Sequence, residues 1–301
     1  MKTLSNEKVG EILVVGETML YALFPVLISY TTKRMPPVLF AGTSILVAAI
    51  VLFVYLICKN QLREMINTKA LKYILLTTLY IAIIPSIFIF VGSSKTSGVN
   101  TTILLQSEIF FTFVIYGLLK YEKITRQKVI GAVILVAGTL LILFNGTLKI
   151  NIGDLLIIAG TAFYPIGNIN AKKALAITTP IIVLFIRSAI GGIVLIIFSV
   201  LFEKYDLSAF QLINNSVWLI LLNGILVYCV SIIIWYEGIK RIDISKAILI
   251  SIGILPAVSL VYVAIFLHEF PTSQQWLGFI IICVGMFFIL KKKVLVRSSP
   301  S

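Results

Sequence analysis

Residues 122–138, EKITRQKVIGAVILVAG, recur 147 positions later as residues 269–285, EFPTSQQWLGFIIICVG. Both stretches carry a Glu, a Thr and two Gly, and the spacing between these four residues is the same in each stretch. The matched pairs are Glu122 and Glu269, Thr125 and Thr272, Gly131 and Gly278, and Gly138 and Gly285. A second set recurs near the start of each half, at an offset of 143. Its pairs are Gly10 and Gly153, Glu11 and Asp154, Tyr21 and Tyr164, and Pro37 and Pro180. These matches predict a duplicated chain, with repeats at 1–147 and 148–293 and a tail at 294–301.

The composition places both repeats in lipid. Of 301 residues, 59% are hydrophobic and 12% are charged, whereas soluble domains carry about 25% charged residues. Ten apolar runs of helix length divide the chain, at 11–30, 37–58, 71–91, 99–119, 128–145, 153–170, 179–202, 216–237, 246–267 and 274–290. Continuous apolar runs of this length satisfy their backbone polar groups in hydrocarbon only as helices. The sequence therefore predicts an all-α integral membrane protein with ten transmembrane helices.

The basic residues orient these ten helices. Nineteen of the 25 Lys and Arg residues fall on the side of the two termini, five fall on the other side, and Arg187 alone lies within a run. Basic residues are retained in cytoplasmic loops, so both termini are expected in the cytoplasm. Each repeat has five helices, and an odd number turns the second copy upside down in the membrane. Such inverted repeats are typical of transporters whose binding site lies between the halves.

The net charge of +13 does not indicate a nucleic-acid partner, because the basic residues form short clusters between apolar runs. No metal or catalytic cluster is apparent, since the single histidine, His268, has no second ligand at a suitable spacing. The chain also lacks a phosphate-binding loop of the G-x-x-x-x-G-K-[ST] type, which excludes direct ATP drive. No cofactor is therefore expected.

Segment 103–142, ILLQSEIFFTFVIYGLLKYEKITRQKVIGAVILVAGTLLI, resembles the signature of the EamA-type, ten-helix branch of the drug/metabolite transporter superfamily. Segment 248–289 repeats the pattern, with Pro256 before Glu269 and its two glycines. The chain departs from the pattern at Ile109, where Pro is usual, and at Ser44, which matches Arg187. The resemblance implies carrier-mediated movement of small metabolites, commonly export of amino acids or related compounds.

Glu17 lies about six residues into the first run, roughly 9 Å deep at 1.5 Å per residue. With Tyr21 and Phe24 it forms a stripe at helical spacing. One interpretation is a substrate-site carboxylate that binds either a proton or a cationic substrate. The other is a Glu solvated at the mouth of the protein.

Two further charges lie deep within apolar runs. Glu108, in the fourth run, is a candidate carboxylate for an amine or a proton, or else a packing residue that ties helices together. Arg187, in the seventh run, lies too deep for easy snorkelling. Either it holds a substrate carboxylate, or it pairs permanently with a buried Glu or with helix carbonyl groups.

Aromatic and amide side chains complete the predicted substrate-binding set. Tyr164 and Asn168 lie one turn apart in the sixth run, and Pro165 between them frees a backbone carbonyl. Tyr228 and Trp235 share a face of the eighth run, although such residues also serve as interfacial anchors.

The sequence thus predicts a secondary transporter that moves a small metabolite, an amino acid or a related compound, by alternating access, with export as the expected direction. Its expected partners are the solute and the lipid bilayer, and the oligomeric state is expected to be monomer or homodimer. Two mechanisms stay open: proton-coupled antiport, with protons as a further partner, and uncoupled facilitated export. The expected location is the cytoplasmic membrane of a bacterium. A non-transporting scaffold or receptor and an intramembrane enzyme are the alternatives.

Overall fold

The computed structural model describes residues 5–61, 68–121, 124–143, 151–203, 209–242 and 244–290. Ten long helices run through them, and a short helix, Ala209–Asn215, lies between the seventh and the eighth. The long helices are α1 (Asn6–Thr31), α2 (Pro37–Cys58), α3 (Lys69–Ser93), α4 (Gly98–Leu118), α5 (Arg126–Leu143), α6 (Ile152–Leu175), α7 (Pro180–Phe202), α8 (Val217–Ile239), α9 (Ile244–Leu267) and α10 (Ser273–Leu290).

Nine of these described helices, all except α9, are long and apolar enough to cross a membrane. Helix α9 has 24 residues and an apolar stretch at Gly253–Leu267. No strand occurs in the described ranges. The all-helical, membrane-embedded architecture predicted from the sequence is therefore confirmed. The end of the fifth apolar run, at 144–145, lies outside the described residues.

Helix α1 begins five residues before its apolar run. The Ser5 hydroxyl accepts a hydrogen bond from the amide of Lys8, and this N-cap starts the helix in a polar turn that hydropathy does not detect. Glu17 consequently lies about 16 Å from the start of the helix, although its distance from the start of the apolar run is unchanged.

Helices α1 and α6 are both interrupted near their middles. Helix α1 consists of Asn6–Tyr21 and Phe24–Thr31, and α6 consists of Ile152–Thr161 and Tyr164–Leu175. A proline follows each break, where its missing N–H and fixed φ suit the first turn of a new helix. The two breaks align Phe24-Pro25 with Tyr164-Pro165, so the structural counterpart of Tyr164 is Phe24, and the predicted match between Tyr21 and Tyr164 is not the structural one.

Helices α3 and α8 share another irregularity. Residues Thr78–Ile83 of α3 and Leu222–Ser231 of α8 are wound as π-helix. In α4, the three residues Leu105–Ser107 tighten into a 3₁₀ turn immediately before Glu108. Departures from α-helical winding of this kind often accompany functional sites, because they redirect side chains and free backbone groups.

The crossing of α5 and α10 establishes that the repeats are inverted. A Cβ atom on Gly131 would lie 2.7 Å from the Gly285 carbonyl oxygen, and one on Gly138 would lie 2.8 Å from that of Gly278. As residue numbers rise along α5, they fall along α10, so the two helices are antiparallel. These helices are equivalent in the two repeats, hence the repeats have opposite directions.

Two equivalent three-helix bundles combine helices from both repeats. In the first bundle, α1 packs on α8 and α9; in the second bundle, α6 packs on α3 and α4. Glycines allow the same close backbone approach in each, between Gly10 and Gly238 in the first bundle and between Gly153 and Gly92 in the second. The face of the protein that carries Asn6 and Leu290 is called the terminal face below, and the other is called the opposite face.

We expect Gly285→Ala to lower the thermal unfolding midpoint of the detergent-purified protein. Its new methyl group would lie 2.6 Å from the Leu135 amide nitrogen and 2.7 Å from the Gly131 carbonyl oxygen. Backbone atoms in a close-packed crossing cannot yield locally, and overpacking of this kind costs about 1–3 kcal/mol. The matched control is Gly16→Ala in α1, where a Cβ meets nothing within 4 Å. Equal midpoints for both variants would show that the crossing does not depend on glycine.

Candidate functional site

A cavity of about 200 Å³ lies between the two bundles. Its walls come from α1 and α9 of the first bundle and from α4 and α6 of the second. The lining residues are Tyr21, Phe24, Pro25, Thr102, Leu105, Gln106, Glu108, Ile109, Tyr164, Leu255 and Ser259. Because the four helices are α1 and α4 with their repeat equivalents α6 and α9, the cavity is formed by corresponding parts of both copies.

The cavity lies halfway along its helices. Glu108 is the central residue of α4, and Tyr164 and Leu255 lie next to the centres of α6 and α9. The breaks of α1 and α6 and the 3₁₀ turn of α4 occur at this same level. Irregular backbone at membrane depth is tolerated where it lines a cavity.

Glu108 and Asn168 come together as part of the candidate site. The Asn168 side-chain amide donates a hydrogen bond of 3.3 Å to Glu108 Oε1, joining α6 to α4. Asn168 is exposed and lies toward the terminal face, outside the cavity lining. The Glu108 carboxylate therefore faces the cavity, and the Asn168 amide binds it from the side of the terminal face.

Glu17 lies off the cavity. Its side chain is buried, and the hydroxyl of the adjacent Thr18 donates a hydrogen bond of 3.3 Å to Glu17 Oε2. Its stripe partners Tyr21 and Phe24 do line the cavity. The structure thus separates the two sequence-predicted carboxylates, with Glu108 at the cavity and Glu17 one helical turn from it.

Aromatic rings form one side of the site. The Tyr21 and Phe24 rings stack at 5.7 Å between centroids, and the Tyr228 ring meets Phe24 edge-on at 6.1 Å. Phe24 also packs edge-on against Phe90, at 5.9 Å. Tyr228, from the π-helical part of α8, therefore supports the aromatic wall from behind.

Arg187 is half-buried in α7 and close enough to interact electrostatically with four tyrosines: Tyr21, Tyr164, Tyr228 and Tyr236. In the described ranges, its guanidinium forms no hydrogen bond or ion pair with the protein. A cation at this depth normally pairs with a protein group. The permanent partner considered from the sequence is not found among the described residues.

Trp235 lies away from the cavity. It packs near the terminal face against Val14, Ile242 and Ala247 of the first bundle. Tyr228 and Trp235 pack in different places, Tyr228 against Phe24 and Trp235 in this cluster, and the π-helical stretch ending at Ser231 departs from the α-helical period that the prediction assumed.

Three lining residues, Phe24, Thr102 and Ser259, were not predicted from the sequence as residues of the cavity wall. Phe24 was identifiable from the aromatic-proline pairs Phe24-Pro25 and Tyr164-Pro165. Thr102 and Ser259 carry no distinct signal, because isolated neutral polar residues also occur at ordinary helix contacts in membranes.

The two bundles meet mainly toward the opposite face. The Phe24–Thr31 half of α1 packs on the Gly98–Leu104 half of α4 and on the Ile84–Ser93 half of α3, and α9 packs on Gly98–Leu104 as well. Toward the terminal face each bundle packs on itself: Asn6–Tyr21 contacts α8 and α9, and Glu108–Leu118 contacts α6. The cavity is therefore sealed from the opposite face.

A midplane cavity between inverted repeats, with interrupted helices around it, defines a polytopic membrane protein of the secondary-transporter architecture. The EamA-like transporter family matches the sequence twice, over residues 8–144 and over residues 151–291. The chain belongs to the EamA-like transporter family.

Similar proteins agree with this assignment. The uncharacterized transporter YoaV of Bacillus subtilis (strain 168) is 25% identical over 282 residues, which cover 91% of this chain and 94% of that protein. An uncharacterized transporter of Methanothermobacter thermautotrophicus is 24% identical over 306 residues, with coverage of 93% and 85%. A solved structure described as "Crystal structure of protein" shares the fold at a TM-score of 0.64 and 15% identity, covering 93% of this chain and 95% of that one.

Proposed function

We propose that this protein is a secondary transporter that exports a small metabolite, an amino acid or a related compound, by alternating access. The observation that carries the proposal is the cavity between the inverted bundles, sealed toward one face. Exchange of conformation between the two copies would seal the other face instead and move a bound solute across. A cavity of about 200 Å³ is below the roughly 300–1,000 Å³ of sites for drug-sized ligands, which favours a small solute.

The proposed topology counts α9 as a membrane span, which makes ten spans in all, and places both termini in the cytoplasm. The excess of Lys and Arg on the terminal side supports this orientation. In this topology the cavity is closed toward the outside, and the separated helix halves face the cytoplasm. We propose the cytoplasmic membrane of a bacterial cell as the location, on the basis of this topology and of the relatives in Bacillus subtilis.

Two charges of opposite sign favour a solute that carries both an amine and a carboxylate. Glu108 lines the cavity, and Arg187 lies close to Tyr21 and Tyr164 of the lining and forms no hydrogen bond or ion pair in the described ranges. A carboxylate on Arg187 would form charge-assisted hydrogen bonds, and an ammonium group on Glu108 would do the same. The side chain of the solute would then lie against Tyr21, Phe24 and Tyr164.

Energy coupling has two candidate forms. In proton-coupled antiport, Glu17 or Glu108 releases a proton as the solute binds or as the protein changes state. In facilitated export, neither carboxylate exchanges a proton during the cycle. Because Glu17 lies off the cavity, it is favoured as a proton site that does not contact the solute. Glu108 lines the cavity and can bind either a proton or the solute.

The test begins with a thermal-shift screen of purified protein against amino acids, amines and organic acids. Compounds that raise the unfolding midpoint are then offered to proteoliposomes, and we expect saturable flux that protein-free liposomes lack. Binding stabilises the folded state by RT ln(1 + [L]/Kd), so a weak ligand also raises the midpoint when its concentration is far above its Kd. Stabilisation by a compound with no flux would favour a receptor, and chemical conversion of it would favour an intramembrane enzyme.

Glu17→Gln and Glu108→Gln are each expected to abolish proton-driven uptake into inverted vesicles while leaving counterflow exchange measurable. Glutamine keeps the shape of the side chain but cannot take up a proton. Glu237→Gln is the matched control, because Glu237 pairs with Lys240 and Arg241 at the terminal end of α8. Wild-type pH dependence in both test variants would reject coupling through these carboxylates.

Arg187→Gln is expected to weaken binding of a carboxylate solute at least tenfold, and binding of its amide analogue less than threefold. A factor of ten corresponds to about 1.4 kcal/mol, just below the roughly 1.5–3 kcal/mol of one hydrogen bond to a charged group, so a loss of at least tenfold is expected. Titration of both compounds against the variant and the wild type measures the two ratios. An equal loss for both compounds would assign Arg187 to structural support.

A further inference from the structure

The closure on the opposite face has three layers, each joining the first bundle to the second. The innermost is apolar and contains Val26 of α1, Val99 and Ile103 of α4, and Leu260 and Val263 of α9, all buried. In the next layer, buried hydroxyl groups form a chain: Ser29 lies 3.0 Å from Ser93, and Thr101 donates to Ser93 at 3.3 Å.

The outermost layer is a single carboxylate. Glu269, immediately after α9, accepts hydrogen bonds from the backbone amides of Gly98, at 2.5 Å, and Val99, at 3.3 Å. These are the first two N–H donors of α4, and the Ser97 hydroxyl takes the third, from Asn100. Lys33, between α1 and α2, donates to the other Glu269 oxygen at 3.3 Å. One side chain thus ties the end of α9 and the loop after α1 to the start of α4.

The contacts inside each bundle are of a different kind. In the second bundle, Asp154 of α6 accepts hydrogen bonds from Thr96 and Asn100. In the first bundle, Lys246 of α9 pairs with Glu7 and Glu11 of α1. Neither set crosses between the bundles, so neither has to break when the bundles separate. The contacts of Glu269 with α4 do cross between the bundles, so they have to break when the bundles separate.

We propose that Glu269 is the latch of the gate on the opposite face. Its bonds to Gly98 and Val99 hold the present closed state, and they must break each time the cavity opens to that face. The proposal rests on alternating access as the proposed function, but it concerns an equilibrium that exists without solute. Loss of the latch shifts this equilibrium toward the open state by the free energy that the latch contributes to the closed state alone.

The test measures how fast a buried seal residue becomes accessible. Val263→Cys is introduced, the protein is placed in nanodiscs, and a water-soluble maleimide is added. Mass spectrometry of the digested protein identifies which cysteine is labelled, so the native cysteines do not have to be removed. In the closed state residue 263 is fully buried, so its labelling rate follows the population of the open gate.

Glu269→Gln is expected to speed labelling at residue 263 at least tenfold, because a neutral amide accepts hydrogen bonds more weakly and loses the attraction to Lys33. The matched control is Glu203→Gln. Glu203 also accepts two amides at a helix start, from Val38 at 2.8 Å and Leu39 at 3.0 Å, but it joins α7 to α2, outside both bundles. Labelling in that variant is expected to stay within twofold of the wild type.

Lys33→Gln provides a second variant in case Glu269→Gln does not fold. It removes only the ion pair and leaves the amide contacts, so a two- to fivefold acceleration is expected, in line with the small free energies of exposed pairs. Wild-type labelling rates in both Glu269→Gln and Lys33→Gln, or an equal acceleration in Glu203→Gln, would overturn the latch. A labelling response without solute flux would reject the transport proposal and retain the latch. Solute flux without the labelling response would retain the transport proposal and reject the latch.

Discussion

The close backbone contact between glycines of α5 and α10 is the constraint on which this architecture depends. In lipid no hydrophobic force drives helices together, so association relies on van der Waals packing and on hydrogen bonds at short range. Glycines allow that approach at Gly131 with Gly285 and at Gly138 with Gly278. Since the equivalent glycines meet in antiparallel order, this crossing fixes one copy upside down against the other. The two bundles, each built from helices of both repeats, and the cavity between them follow from that arrangement.

Much of this organisation is encoded in patterns that a sequence displays directly. Hydropathy locates the helices, and the spacing of Gly131 and Gly138 with Gly278 and Gly285 indicates the duplication. Glu108 and Tyr164 are conspicuous as polar groups at membrane depth, and both line the cavity. Such groups are expensive in hydrocarbon, which is why their presence alone singles out the interior of the protein.

The remainder depends on helix winding, which a linear pattern does not reveal. A constant α-helical period does not describe α4 and α8, because a 3₁₀ turn at Leu105–Ser107 and a π-helical stretch at Leu222–Ser231 change the rotation between successive side chains. Gln106, within the 3₁₀ turn, lines the cavity, whereas Trp235, beyond the π-helical stretch, packs away from it. The stripe with Tyr21 favours Glu17 as one candidate for the solute site, yet the structure buries this carboxylate beside Thr18 and off the cavity. Polarity indicated which groups mattered, whereas local winding decided where each one points.

Duplication has not left the two copies chemically equal. Asp154 and its amide partner Asn100 stand where the first bundle has Glu11 and Lys246. The first of these contacts is buried and nearly insensitive to dissolved ions, whereas the second is partly exposed and screened over a Debye length of about 8 Å at physiological ionic strength. A rise in electrolyte concentration therefore weakens the first bundle and leaves the second nearly unchanged.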